Sequence, residues 1–405
     1  MRVLLVGSAD SIWLKKYVDN IGDDPRIEFS ILSPDNCMFS EFYREKNVCV
    51  YTSPFSQRRA AEGVDEGGVK TGGRKGVREI AKSILPGFLS KRIYYYLLSR
   101  RVKEFLTSQD QFDIVHFHYV SDDSDLIYYN SVKKYNARVI LTYWGSDLLR
   151  NGRPGGNKKI RERADHIVCL SAKLTACYFG FYGDMEKNKL KTIGFGISGY
   201  DYIDRVYNEK FRLETKDLLS FPECKLHVAV GYNASEAQQH VGVIRAIARL
   251  PKEYKKGLHL ILQFSYGKSE DSSYYSLINR ELEASGCSWT IINEFLDDYS
   301  SALLRCKIDI FVHAQITDSL SASMLEYLYS GAIVINGSWL EYPMLNALGN
   351  KCLSFDDFDG LTGVLESIIA NPRERGGMSV SDKEALRSIN SWQSVRSAWL
   401  GLYTS

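Results

Sequence analysis

Short runs of consecutive apolar residues recur along this chain. Between them lie stretches in which apolar positions return every three or four residues. The first pattern reads as buried strand and the second as amphipathic helix. Runs at 2–6, 28–32, 48–51, 112–117, 138–142, 166–170 and 191–193 predict one series of strands. Runs at 227–231, 259–264, 290–292, 308–313 and 332–335 predict a second. Strands alternating with helices imply parallel sheets covered on both faces, so the expectation is α/β, with two Rossmann-like, doubly wound domains. Residues 200–223 are polar and mixed, and they read as the region joining the two.

The sharpest unit runs from 308 to 336. An apolar strand is followed by a polar loop, by a stretch of helical spacing over 322–330 stopped at Gly331, and by a second strand. In a right-handed β-α-β unit the loop after the first strand lies at the carboxyl edge of the sheet, where ligands bind. Asp318 sits in that loop, and Glu326 follows on the helix. Helix amides can hold phosphate oxygens, and carboxylates can accept hydroxyl hydrogen bonds from a sugar. An ordinary β-α-β unit with a solvated Glu fits the same residues.

Other strand ends carry candidate chemistry. Gly7 and Ser8 follow the first strand, and a single Gly there is too few for a dinucleotide fingerprint. His118 follows 112–117, and Tyr143-Trp144-Gly145-Ser146-Asp147 follows 138–142. In the second half the loop 232–240 holds Asn233, Ser235 and His240, all able to donate to phosphate oxygens. Ser265-Tyr266-Gly267-Lys268 follows the next strand, and Phe295-Leu296 the one after. Asp-x-Asp at 123–125 reads as a polar loop and not as a metal site.

Composition narrows the picture in a few places. The chain has 405 residues and a net charge of +2, enough for two domains and uninformative about partners. The segment 57–103 differs, with twelve Lys and Arg against four acids, while the remainder holds 39 basic and 45 acidic residues. Its bases alternate with aromatic and aliphatic residues, which suits an anionic membrane surface as well as a solvated basic helix face. No apolar run reaches membrane-spanning length, and the eight scattered cysteines favour reduced thiols over a disulfide framework or zinc.

Asp318-Ser-Leu-Ser-Ala-Ser-Met-Leu-Glu326 resembles the acid-x7-acid signature of retaining family 4-like glycosyltransferases with the GT-B fold. That signature usually starts with Glu and has Gly one and three residues later, where this chain has Asp318, Ser319 and Ser321. The Tyr-Trp-Gly-Ser-Asp stretch resembles the family's turn at the corresponding strand. The 232–240 loop resembles that of bacterial Fuc4NAc-transferase-like enzymes. The resemblance implies two domains facing across a cleft: residues 1–200 for the acceptor, 201–385 for the nucleotide-sugar donor, and a 386–405 helix packing back on the first.

It further implies catalytic roles for His118, Asp147 and Asp318. Donor contacts fall to Gly7, Asn233, Ser235, His240, Tyr266, Lys268, Phe295, Leu296, Ser319, Leu320, Ser321 and Glu326, and acceptor contacts to Ser8, Trp144 and Gly145. No metal or cofactor is expected; the donor, a UDP-sugar first among candidates, is a substrate. The acceptor would be a lipid-linked saccharide, a glycan or a protein, and no nucleic acid partner is expected. The setting implied is bacterial surface-glycan assembly in the cytoplasm, at the inner face of the membrane. The same fold also hosts nucleotide-sugar epimerases and non-catalytic partners, and the missing Arg/Lys pair around the diphosphate is what such a partner would show.

Overall fold

The computed structural model describes residues 1–33, 37–52, 96, 100, 111–120, 136–150, 157–184, 186–209, 219–223, 225–267, 273–342, 352–371 and 378–404. The basic segment 57–103 (apart from 96 and 100), the Asp-x-Asp at 123–125 and Lys268 therefore lie outside the described residues. The chain forms two compact units, Met1–Gly194 with Arg396–Ser405, and Phe195–Val395.

Among the described residues the first unit holds seven strands: β1 (Arg2–Val6), β2 (Glu28–Ser33), β3 (Cys49–Thr52), β4 (Ile114–His118), β5 (Arg138–Tyr143), β6 (His166–Cys169) and β7 (Leu190–Thr192). They pair in parallel in the order β3-β2-β1-β4-β5-β6-β7. The central strands bury nearly every side chain, as a sheet covered on both faces requires. The order reverses between β1 and β4, which opens a crevice at their carboxyl ends. Register puts Val6 beside Phe117 and His118 beside Thr142, so Gly7, His118 and Thr142 lie at one level, with Tyr143 one residue beyond. Helix Ile12–Ile21 starts at Ser11, whose side chain accepts from the Leu14 amide.

The end of the chain belongs to this unit. Trp399 is fully buried and donates its indole N–H to the Gly194 carbonyl at 2.9 Å. The Tyr403 hydroxyl meets Tyr17 at 2.7 Å and His116 Nδ1 at 2.8 Å.

The second unit holds β8 (Leu226–Val230), β9 (Leu258–Gln263), β10 (Ser288–Ile292), β11 (Ile310–His313), β12 (Ile333–Gly337) and β13 (Cys352–Phe355). They too are parallel, in the order β10-β9-β8-β11-β12-β13, with the reversal between β8 and β11. Val230 pairs with Val312, which sets Gly231 beside His313 at the carboxyl edge. The core divides around this sheet. Val228, Val230, Ile244, Leu262 and Ile335 pack on one face, and Ala229, Ile261, Phe311, Leu325 and Val334 on the other.

Two elements depart from expectation. The stretch from 200 was read as a polar joining region, yet Gly199–Asn208 is a helix of the second unit. Its composition conceals Tyr200, Ile203 and Val206, which recur at helical spacing and are buried. Its acids are tied down by Arg387, which reaches Asp201 and Asp204 at 2.7 Å each. β13 was not expected. It is a four-residue edge strand with a single buried side chain, too short and too polar to show a period.

Candidate functional site

In the first unit the β1 and β4 ends touch. A Cβ on Gly7 would stand 3.0 Å from the His118 carbonyl oxygen and 3.2 Å from its Cβ, a tight fit that would make the end of β4 give way by a few tenths of an ångström. His118 is 3% exposed, and among the described residues neither ring nitrogen has a hydrogen-bond partner. Rings enclose it: His116 at 4.0 Å, Tyr17 at 4.6 Å and Trp144 at 5.7 Å between centroids. Burial pushes its pKa down to about 3, so it is a neutral imidazole at pH 7. His116, by contrast, is satisfied at both nitrogens, by Tyr403 and by Thr142 at 2.7 Å.

Asp147 is turned onto the backbone. It is 3% exposed and accepts from the amides of Trp144, Gly145, Leu148 and Val120 at 2.8–3.2 Å. Burial raises its pKa to about 6, and the amides of Gly145, Trp144 and Val120 oppose that rise. Gly145 takes φ 145°, a conformation open to glycine and strained for other residues. The geometry makes Asp147 the clasp that joins the ends of β4 and β5 and sets Trp144 beside His118. Ser8 accepts the Ser11 amide through its carbonyl at 3.1 Å, in the turn after Gly7.

In the second unit the loops after β8, β9 and β11 are bonded to one another. Gly231 has φ 66°, and a Cβ there would meet Gln238 Oε1 and His240 Nε2 at 3.0 Å. Gln315 is the hub: its carbonyl oxygen accepts from the Tyr232 hydroxyl and from Gln238 Nε2 (2.7 Å), and its Nε2 donates to the Thr317 carbonyl at 3.0 Å. Gln239 Nε2 reaches the Ala314 carbonyl at 2.6 Å, and the Ile316 amide reaches the Ala237 carbonyl at 2.8 Å. The Ala234 amide donates to the Tyr266 carbonyl at 2.8 Å, which brings in the β9 loop.

The expected donor residues at this edge fall into four groups. Asn233 and Ser235 form the turn itself, each accepting a backbone amide two residues on, at 2.9 and 3.3 Å. That leaves the Asn233 amide group and the Ser235 hydroxyl proton as donors. Ser319, Leu320 and Ser321 lie with Asp318 in the β11 loop, where Ser321 caps helix Ala322–Tyr329 through the Met324 amide at 3.2 Å. Tyr266 and Phe295 are exposed at the surface. His240 and Leu296 are turned inward instead. His240 bonds Tyr274 through Nδ1 at 3.0 Å, and burial lowers its pKa to about 4. Leu296 belongs to the core.

Two features of this edge were not anticipated. The first is His313, fully buried at the end of β11, with Nε2 3.6 Å from Asp318 Oδ2 and 3.3 Å from the Tyr342 hydroxyl. Among the described residues Asp318 Oδ2 makes no hydrogen bond. Burial and the neighbouring Asp318 raise the Tyr342 pKa well above its ordinary value, so that hydroxyl stays protonated. The second is Arg305, 4% exposed, whose Nε lies 3.4 Å from Glu326 Oε2. Arg305 lies in the last turn of helix Asp298–Lys307, where a base ordinarily complements the helix dipole, so its sequence position gave no sign of this role.

Both units place their loops at the carboxyl end of a parallel sheet, on either side of the strand reversal. No protein-family model and no curated protein matches the sequence. Solved structures do match in fold, each over the whole of this chain. A glycosyltransferase from Rickettsia africae superposes at TM-score 0.67 with 11% identity, over 97% of that chain. Sucrose-phosphate synthase from Thermosynechococcus elongatus gives 0.68 and 12%, over 98% of its chain. Anabaena HepE in complex with UDP-glucose gives 0.64 and 10%, over 99% of its chain.

The fold is GT-B. At such identities the likeness is one of architecture. The side chains that line the sheet edges in this GT-B chain are its own, and they carry the argument about chemistry. Among the described residues no helix is long and apolar enough to cross a membrane.

Proposed function

We propose that this GT-B protein is a glycosyltransferase that takes a sugar from a nucleotide-diphospho-sugar, with the donor on the second unit and the acceptor on the first. The observation that carries the reading is the second unit's sheet edge. Three cross-bonded loops, a helix N-terminus and two carboxylates, Asp318 and Glu326, stand together at the strand reversal. A diphosphate accepts hydrogen bonds and a sugar donates them. This edge offers amides and hydroxyls for the first and carboxylates for the second.

In the reaction the bond from the anomeric carbon to the diphosphate oxygen breaks, and a bond to the acceptor oxygen forms. The acceptor's proton leaves to the departing diphosphate. The developing phosphate charge is met by fixed donors: the Asn233 amide, the Ser235 hydroxyl and the first amides of helix Ala322–Tyr329. Asp318 orients sugar hydroxyls and Glu326 the ribose. On the first unit neutral His118 hydrogen-bonds the acceptor beside Trp144. With a pKa near 3 it orients the acceptor and is a poor proton acceptor. Asp147 acts at one remove, by holding that loop.

We further propose a UDP-sugar as donor, in keeping with the UDP-glucose bound to HepE. No metal is assigned a part in the chemistry. The acceptor is a lipid-linked or other glycan of bacterial surface assembly, met at the inner membrane face by the basic segment 57–103. The test is a thermal-shift screen with UDP, GDP, CDP and dTDP and their common sugars. A ligand at a hundred times its dissociation constant stabilises by about 2.7 kcal/mol. A shift with one nucleotide that Glu326→Ala removes supports the reading. No shift with any of them at millimolar concentration refutes it and leaves a non-catalytic GT-B partner as the better description.

A further inference from the structure

Glu326 is held from two sides. On one, the buried Arg305 guanidinium spreads its donors over four acceptors. Nε faces Glu326 at 3.4 Å, Nη1 meets Gln263 Oε1 at 3.2 Å and the Tyr327 hydroxyl at 2.9 Å, and Nη2 meets Ser323 at 3.4 Å. The cation also lies over the Tyr327 ring, 4.3 Å from its centroid. On the other side stands Gly199, the first residue of its helix. A Cβ there would fall 2.3 Å from Glu326 Oε1. Oε2 is therefore turned toward Arg305, and Oε1 rests against the glycine in space that a Cβ would fill. Its side chain is 13% exposed, so only an edge of the carboxylate reaches the surface.

From this geometry we infer that Arg305 is the positioning residue for Glu326 and that the pair, rather than Glu326 alone, reads the ribose of the donor nucleotide. The inference rests on the glycosyltransferase reading above. Arg305 does not touch the nucleotide. It fixes the direction of the Glu326 lone pairs that a vicinal ribose diol would meet, and the missing Cβ at Gly199 leaves room for that orientation. The planar fork matters as much as the charge. Lysine carries the charge but cannot span Gln263, Tyr327, Ser323 and Glu326 together.

Calorimetric titration of the full-length protein with UDP and with 2′-deoxy-UDP tests this, alongside Arg305→Lys, Glu326→Ala, their double variant and Gly199→Ala. The unaltered protein is expected to prefer UDP by about 10- to 100-fold, as for a lost hydrogen bond to a charged group. Arg305→Lys and Glu326→Ala should each reduce the preference below about threefold, and the double variant no further. Gly199→Ala moves the carboxylate without altering the cation and should reproduce the loss at a temperature where scanning calorimetry shows the variant still folded, which separates positioning from a general fault in folding. If Arg305→Lys keeps the preference that Glu326→Ala loses, the positioning role is wrong while the donor assignment stands. If the unaltered protein binds neither ligand and no other nucleoside diphosphate, the donor assignment fails and the inference with it.

Discussion

Replacing Gly199 with alanine should change sign with the residue at position 326. Gly199 begins a helix with its φ outside the left-handed region, a setting in which Gly→Ala ordinarily stabilises by about 0.4–1 kcal/mol through the unfolded chain. Here the new methyl would lie 2.3 Å from Glu326 Oε1, 2.6 Å from Cδ and 2.8 Å from Cγ. Three successive atoms are too close, so turning the carboxylate alone gives no relief. Swinging the whole side chain away would leave Arg305 a buried cation without its counter-ion. Overpacking of this kind costs about 1–3 kcal/mol. For a unit of this size roughly 2–4 °C of Tm follows each kcal/mol. Gly199→Ala alone should therefore lower the transition by several degrees in scanning calorimetry. In a Glu326→Ala background the obstacle is gone, and the same change should be neutral or raise Tm. The expected coupling is about 1.5–3 kcal/mol. Equal effects in both backgrounds, within about 0.5 kcal/mol, would refute the two-sided confinement of Glu326.

The acid limb of stability should depend on His118. Its folded pKa, about 3, lies below the ordinary 6.5, so the unfolded chain binds the proton more readily. Its contribution is therefore complete above 6.5 and is lost as pH falls toward 3. At pH 4.5 the loss is about 2.7 kcal/mol, and His118→Phe should flatten the urea-midpoint profile between pH 6.5 and 4. Gln315→Leu should leave Gln238 and Tyr232 without their shared acceptor. The expected cost is about 2–4 kcal/mol, with weaker nucleotide binding by calorimetry because the β8 and β11 loops lose the side-chain part of their cross-bonding.

The periodic parts of this fold could be read from the residues. Twelve of the thirteen strands among the described residues announce themselves as apolar runs, and the loops at Gly7, His118, Gly231 and Asp318 follow from where those runs stop. What escaped depends on contacts distant in sequence. Gly199–Asn208 looks polar until Arg387 is brought to Asp201 and Asp204. Arg305 and Glu326 are 21 positions apart, and nothing local distinguishes this arginine from a solvated helix-terminal base. Asp147 stands in the expected turn, but only the fold reveals that its oxygens face four amides. Periodicity reports which side of an element is buried and is silent about which polar groups meet inside.

The Gln315 hub also bears on how such a chain can diverge. Tyr232, Gln238 and Gln315 share one side-chain carbonyl oxygen across two loops, and the Gln239 side-chain amide and the Ile316 backbone amide tie the same loops again. A lone substitution at Gln315 strands two donors in the other loop, whereas one at Tyr232 or Gln238 leaves the shared oxygen a remaining partner, so change at 315 must be accompanied by change at 232 and 238. Aligned relatives should show positions 232, 238 and 315 covarying as one unit, while exposed neighbours such as Ile316 vary freely.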